Sequence, residues 1–101
     1  MDEIKKRIVA LIGQDRVRAR GHFWREAAKD GVLLEDALRA VRRGAFLPGQ
    51  ADTDSSFGER FRIRGTDTQD RVLDVIVSID EQANLLWLHT VFISGRKKGT
   101  R

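Results

Sequence analysis

The chain has no cysteine and no tyrosine, a single proline and two histidines among its 101 residues. Without cysteine it has neither a disulfide framework nor thiol chemistry, and two histidines with no converging acidic cluster do not make a structural zinc site. No apolar run approaches the roughly 20 residues that a membrane-spanning helix needs. No short apolar segment follows a basic start in the manner of a secretory signal. Internal repeats and low-complexity segments are also absent. These absences describe a cytoplasmic chain with no membrane partner, no metal and no cofactor.

What is present is an ordinary folding composition, 41% hydrophobic and 34% charged, sufficient for one domain with one modest core. Nineteen Lys and Arg oppose fifteen Asp and Glu, a net charge of +4. That excess permits nucleic-acid binding without requiring it. Arginine outnumbers lysine, and its planar fork matches phosphate better than a point charge does.

From Asp2 to Ile12, the residues Ile4, Ile8, Leu11 and Ile12 recur at helical spacing, with Asp2 and Glu3 at the start and Gly13 as a stop. Arg16 to Arg20 alternates arginine with Val17 and Ala19, which predicts a short edge strand with cations on one side. A second helix is expected over His22–Lys29, stopped by Gly31. A third is expected over Leu34–Arg43, with Glu35 and Asp36 in its first turn, Arg42 and Arg43 in its last, and Gly44 beyond. A tight turn joins the last two into a helical hairpin. PGQADTDSSFG, Pro48 to Gly58, reads as a mobile surface loop.

GERFRIRG, Gly58 to Gly65, places Arg60, Arg62 and Arg64 on one face of a strand and Phe61 and Ile63 on the other. Strands over Val72–Ile79 and Leu85–Ile93 follow, the last nearly continuous in apolar residues and so central in the sheet. Matching apolar faces sets Ile63 opposite Leu73, Phe61 opposite Val75, Arg62 opposite Asp74 and Arg60 opposite Ile76. A four-residue loop, Glu81 to Asn84, pairs Asp80 with Leu85 and brings His89 opposite Ile76. Arg60, Ile76 and His89 then form a lateral row on the open face, with Trp87 beside it and Leu86, Leu88 and Phe92 under the helices. A three-residue loop with a bulge reverses that parity. The resulting expectation is an α+β domain over residues 1–94, with the amphipathic helix and the helical hairpin on one face of a three- to four-stranded antiparallel sheet. A basic disordered tail, GRKKGTR, occupies residues 95–101.

The stretches HFWREAAKDGVLLEDALRAVRRG, GERFRIRG and VLDVIVSIDEQANLLWLHTVF resemble a bacterial domain family of uncharacterised function. That family is similar to the RelE and BrnT toxins, small basic ribonucleases of type II toxin-antitoxin modules. The resemblance covers Arg16 to Ile93. His22 matches the histidine that opens a family helix, Gly31 with Val32 the glycine and aliphatic pair, and Gly44 a helix-ending glycine. The chain departs from the pattern at Glu26, where an arginine is usual, at Leu33, where a Ser or Thr cap is usual, and in having no tyrosine.

The resemblance implies metal-independent cleavage of RNA and an antitoxin protein as partner. Such cleavage needs a base, an acid and cations that hold the charge gathering on the phosphoryl oxygens. Histidine titrates near neutral pH and arginine clamps phosphate oxygens. The catalytic candidates are therefore His89, Arg60 and His22, and the RNA or phosphate-binding candidates Arg62, Arg64, Trp87 and Arg25. Structural roles compete with these. His89 also fits a hydrogen-bonded core residue, Trp87 a core or interface residue, Arg62 a cross-strand partner of Asp74, and Arg64 a solvated turn residue. The alternative function is a non-catalytic protein-interaction or RNA-binding domain, and a homodimer follows if the last strand or first helix covers a second subunit.

Overall fold

A computed structural model describes residues 2–47 and 59–94, with nothing described of the Asp2 side chain. The Pro48–Gly58 loop and the 95–101 tail lie outside the described residues. The described elements are α1 (Asp2–Gly13), β1 (Val17–Ala19), α2 (Gly21–Asp30), α3 (Leu34–Arg43), β2 (Ala45–Phe46), β3 (Arg60–Thr66), β4 (Val72–Asp80) and β5 (Leu85–Ile93). The fold is α+β, with the helices on one face of the sheet, as the apolar patterns require.

The helix stops are local chemistry. Gly31, at φ 63°, ends α2, and the Val32 N–H reaches back to the Ala27 carbonyl at 2.9 Å. Gly13 does not play that part for α1. The left-handed residue there is Asp15, at φ 59°, and the Arg16 N–H closes the turn on the Leu11 carbonyl.

The sheet is larger than the pattern suggests. It has five strands in the order β1-β5-β4-β3-β2, and it is mixed, because β1 runs parallel to β5 while the remaining pairs are antiparallel. Two strands of three residues or fewer, Val17–Ala19 and Ala45–Phe46, form the edges. The first is the edge strand expected from the alternation of Arg16 to Arg20; the second is too short to carry a period of its own, so only its pairing with β3 defines it. β5 is an interior strand, but the middle of the sheet is β4.

Register departs from expectation at two places. Ile63 pairs with Val75, Arg62 with Ile76, Arg64 with Asp74 and Arg60 with Ser78, two residues away from the alignment based on apolar matching. Parity survives because the hydrophobic face dictates it, but a two-residue slide preserves every face and is settled by the turn. That turn is held by Asp67, whose carboxylate accepts the N–H groups of Gln69 and Arg71.

The Asp80–Leu85 pairing and the Glu81–Asn84 loop are as expected, with Asn84 left-handed at φ 57° and Asp80 accepting the Ala83 N–H. Beyond that hairpin, Val77 pairs with Leu88 and Ile76 with Thr90, so His89 is the extra residue of a β-bulge rather than the partner of Ile76. The bulge answers a conflict within β5, whose apolar residues change parity midway. Leu86 and Leu88 face the helices before it and Val91 after it, all buried, while Phe92 turns to the open face.

The core lies between the helices and that one face. Ile8, Leu11 and Ile12 of α1, Phe23 and Ala27 of α2 and Ala37, Ala40 and Val41 of α3 pack on Ile63, Leu73, Val75, Val77, Leu86 and Leu88. α3 approaches β3 closely enough for their backbones to touch, for a Cβ on Gly65 would overlap the Ala40 carbonyl. Among the described residues no helix is long and apolar enough to cross a membrane.

Candidate functional site

Arginines lie at both ends of the sheet's open face, and their surroundings differ. At β3 and β4, Asp74 is fully buried although it points away from the core. Arg62 donates to its Oδ2 through Nε at 2.9 Å and Nη2 at 2.6 Å; Arg64 donates to Oδ1 through Nε at 2.7 Å and to Oδ2 through Nη2 at 3.0 Å. Burial raises the Asp74 pKa, but these hydrogen bonds and charges outweigh it and hold the carboxyl below its ordinary range. Arg62 also lies 5.2 Å from the Phe92 ring centroid. Arg62 and Arg64 are thus both engaged with one carboxylate. Arg64, read from sequence as a solvated turn residue, is raised in pKa by its hydrogen bond to Asp74.

The other arginines of the face gather differently. Where β1 ends, the Arg20 N–H bonds to the Leu88 carbonyl at 3.0 Å, and α2 begins at Gly21 immediately afterwards. The β1–β5 pairing therefore sets the first turn of α2 beside the β5 bulge. Arg60, at the start of β3, reaches the same place from the opposite side.

The result is an open cleft of about 410 Å³ lined by Arg20, Gly21, His22, Arg25, Arg60 and His89. It brings together His89, Arg60, His22 and Arg25 of the sequence candidates; Arg62, Arg64 and Trp87 do not line it. The α2 N-terminus adds a partial positive charge to the guanidinium groups. The nearest acidic side chain on α2, Glu26, lies 3.9 Å from His22 Nε2 and 3.3 Å from Lys29 Nζ.

His89 is 5% exposed, and its Nε2 is hydrogen bonded to Ser78 Oγ at 2.8 Å. Ser78 sits opposite Arg60 on β3 and Trp87 on β5. The row across the sheet is thus Arg60, Ser78 and Trp87, with Ser78 in the place expected for Ile76 and His89 bonded to Ser78 from the neighbouring bulge. His22 differs in being exposed on the first turn of α2.

Sequence reasoning missed Arg20 and Ser78. Arg20 was legible only as a cation of the edge strand, because nothing local reveals that this strand joins β5 in parallel. Ser78 was passed over because the expected register, two residues away, put Ile76 in its place. Among the described residues no group of three or more His, Cys, Asp or Glu side chains is placed to hold a metal ion. Comparison with known proteins found no matching family model and no significant match to a curated protein or a solved structure.

Proposed function

We propose that this chain is a RelE/BrnT-like RNA-binding domain of the cytoplasm whose cleft holds a backbone phosphate, and that it cleaves RNA there without a metal. The observation that carries the reading is the convergence of Arg20, Arg25 and Arg60 with two histidines on one cleft at a helix N-terminus. Arginine forks suit the non-bridging phosphate oxygens and hold the charge that builds on them during displacement. One imidazole takes the proton of the 2′-hydroxyl as its oxygen bonds to phosphorus. The other returns a proton to the 5′-oxygen as the phosphorus–oxygen bond breaks, leaving a 2′,3′-cyclic phosphate and a free 5′-hydroxyl. In a toxin-antitoxin module, the antitoxin would cover this cleft.

A second reading, an RNA-binding domain without chemistry, is favoured by the burial of His89 and its bond to Ser78, which already engages Nε2. RNA incubated with wild type, His22→Ala, His89→Ala and Arg60→Ala separates the two. Cleavage that yields cyclic-phosphate ends and falls by at least about 100-fold in each histidine variant supports the enzyme. Salt-dependent binding with no cleavage supports the second reading, and absence of binding removes both.

A further inference from the structure

We infer that the cleft takes single-stranded RNA, with an unpaired base stacked on Trp87. This deepens the proposed function and rests on its reading of the cleft as a phosphate site. Trp87 borders the cleft without lining it. It lies two residues before His89 on β5 and opposite Ser78, which in turn faces Arg60. Arg20, which lines the cleft, has its guanidinium carbon 6.0 Å from the centroid of the Trp87 ring. On the other side, Trp87 pairs with Arg18 of the β1 edge strand, an exposed residue.

A half-buried indole thus stands on the open sheet face between one exposed arginine and a cluster of three. The chemistry matches a nucleotide within a strand, where each base is flanked by two phosphates. One phosphate meets Arg18, the next enters the cleft, and the base between them lies on the indole. Arg20 is near enough to both ring and cleft to pass from stacking on Trp87 to bonding phosphate, and a charge-assisted bond to phosphate is the stronger interaction. A base within a duplex is stacked on both faces and cannot turn onto a side chain, which selects an unpaired strand. Charge complementarity extends across the row, from exposed Arg18 on one side of Trp87 to Arg60 beyond Ser78 on the other.

The chain has two tryptophans, so Trp24→Phe leaves Trp87 as the sole indole reporter. Trp24 is 49% exposed on α2 and is replaced there by another aromatic ring. This variant is titrated with an oligouridylate, with the same oligonucleotide annealed into a duplex, and with inorganic phosphate. Quenching by the single strand at roughly tenfold lower concentration than by the duplex supports the inference, as does phosphate competition without quenching of its own. In the otherwise wild-type chain, Trp87→Leu is expected to weaken oligouridylate binding on the order of tenfold, with Trp87→Phe retaining most of it. Oligouridylate binding that leaves Trp87 emission unchanged, or equal binding of the duplex, overturns the inference while the phosphate site stands. Failure to bind either RNA or phosphate overturns the phosphate site itself.

Discussion

Two groups of arginines in this small domain have opposite surroundings. Arg71, in the β3–β4 turn, donates from Nε to Asp67 at 2.7 Å, from Nη1 to the Asp30 carbonyl at 3.0 Å, and from Nη2 to the Gly31 carbonyl at 3.3 Å and Asp36 at 3.4 Å. Asp36 in turn accepts the Leu33 N–H at the start of α3 and the Thr68 hydroxyl. One guanidinium therefore ties the helical hairpin to the sheet, and every carboxylate it meets is buried and multiply bonded. Arg62 and Arg64 at Asp74 repeat the theme. In the cleft, Arg20, Arg25 and Arg60 converge with no carboxylate among the lining residues. A concave surface walled by cations and lined by no carboxylate suits an external anion, whereas Arg62, Arg64 and Arg71 are turned onto buried carboxylates and serve the fold.

The largest effect on stability is expected for Asp74→Ala. Removing the shared acceptor leaves Arg62 and Arg64 facing each other beside a buried void, and the expected loss is about 3 kcal/mol in chemical denaturation, the low end for a broken buried pair because both arginines reach water. A loss below about 0.5 kcal/mol would place these arginines with the cleft group instead.

Acid should come next. Burial raises the Asp67 pKa, but the backbone N–H groups of Arg71 and Gln69 and the Arg71 side chain more than reverse this, so Asp67, like Asp74, titrates below its unfolded value. As pH falls, the unfolded chain takes up these protons first. The stabilisation is therefore whole above about pH 4 and is lost progressively below it. Denaturation midpoints measured down this range should fall less steeply in Asp67→Asn than in wild type.

Arg71→Lys retains the charge but not the fork that reaches two carboxylates and two carbonyls together. A loss of about 1–2 kcal/mol is expected, with RNA binding unchanged. The smallest effect on stability belongs to Arg25→Gln, at an exposed position of α2, within about 0.5 kcal/mol of wild type; Arg60→Gln, at a half-buried position, is the second cleft variant. Those same variants should weaken RNA binding and reduce its salt slope by about 1 for each phosphate that is no longer neutralised, measured by titration at several salt concentrations.

Much of the fold was legible because periodicity reports which face of an element is buried. Ile8, Leu11 and Ile12 on α1, and Leu73, Val75 and Val77 on β4, are where their spacing puts them. The edge strand β1 was legible in the alternation of Arg16 to Arg20, but the second edge strand β2, the parallel pairing of β1 and the two-residue offset of β3 were not, because none changes which face is apolar. Of the cleft, residue types could be read but not their assembly. Arg20 and His22 stand far from Arg60 and His89 along the chain, and only the folded sheet joins them.

The β5 bulge marks the boundary between the two kinds of information. From LLWLHTVFI alone it follows that no single parity buries every apolar residue, so some irregularity is required. Local composition therefore determined the helices, the long strands, the buried faces and the abundance of arginine. Only the tertiary structure decided that the extra residue is His89, that β1 delivers the start of α2 beside it, and which arginines meet Asp74 while others meet the cleft. Pairing partners are chosen by the free energy of the whole packed sheet, and no local pattern carries that sum.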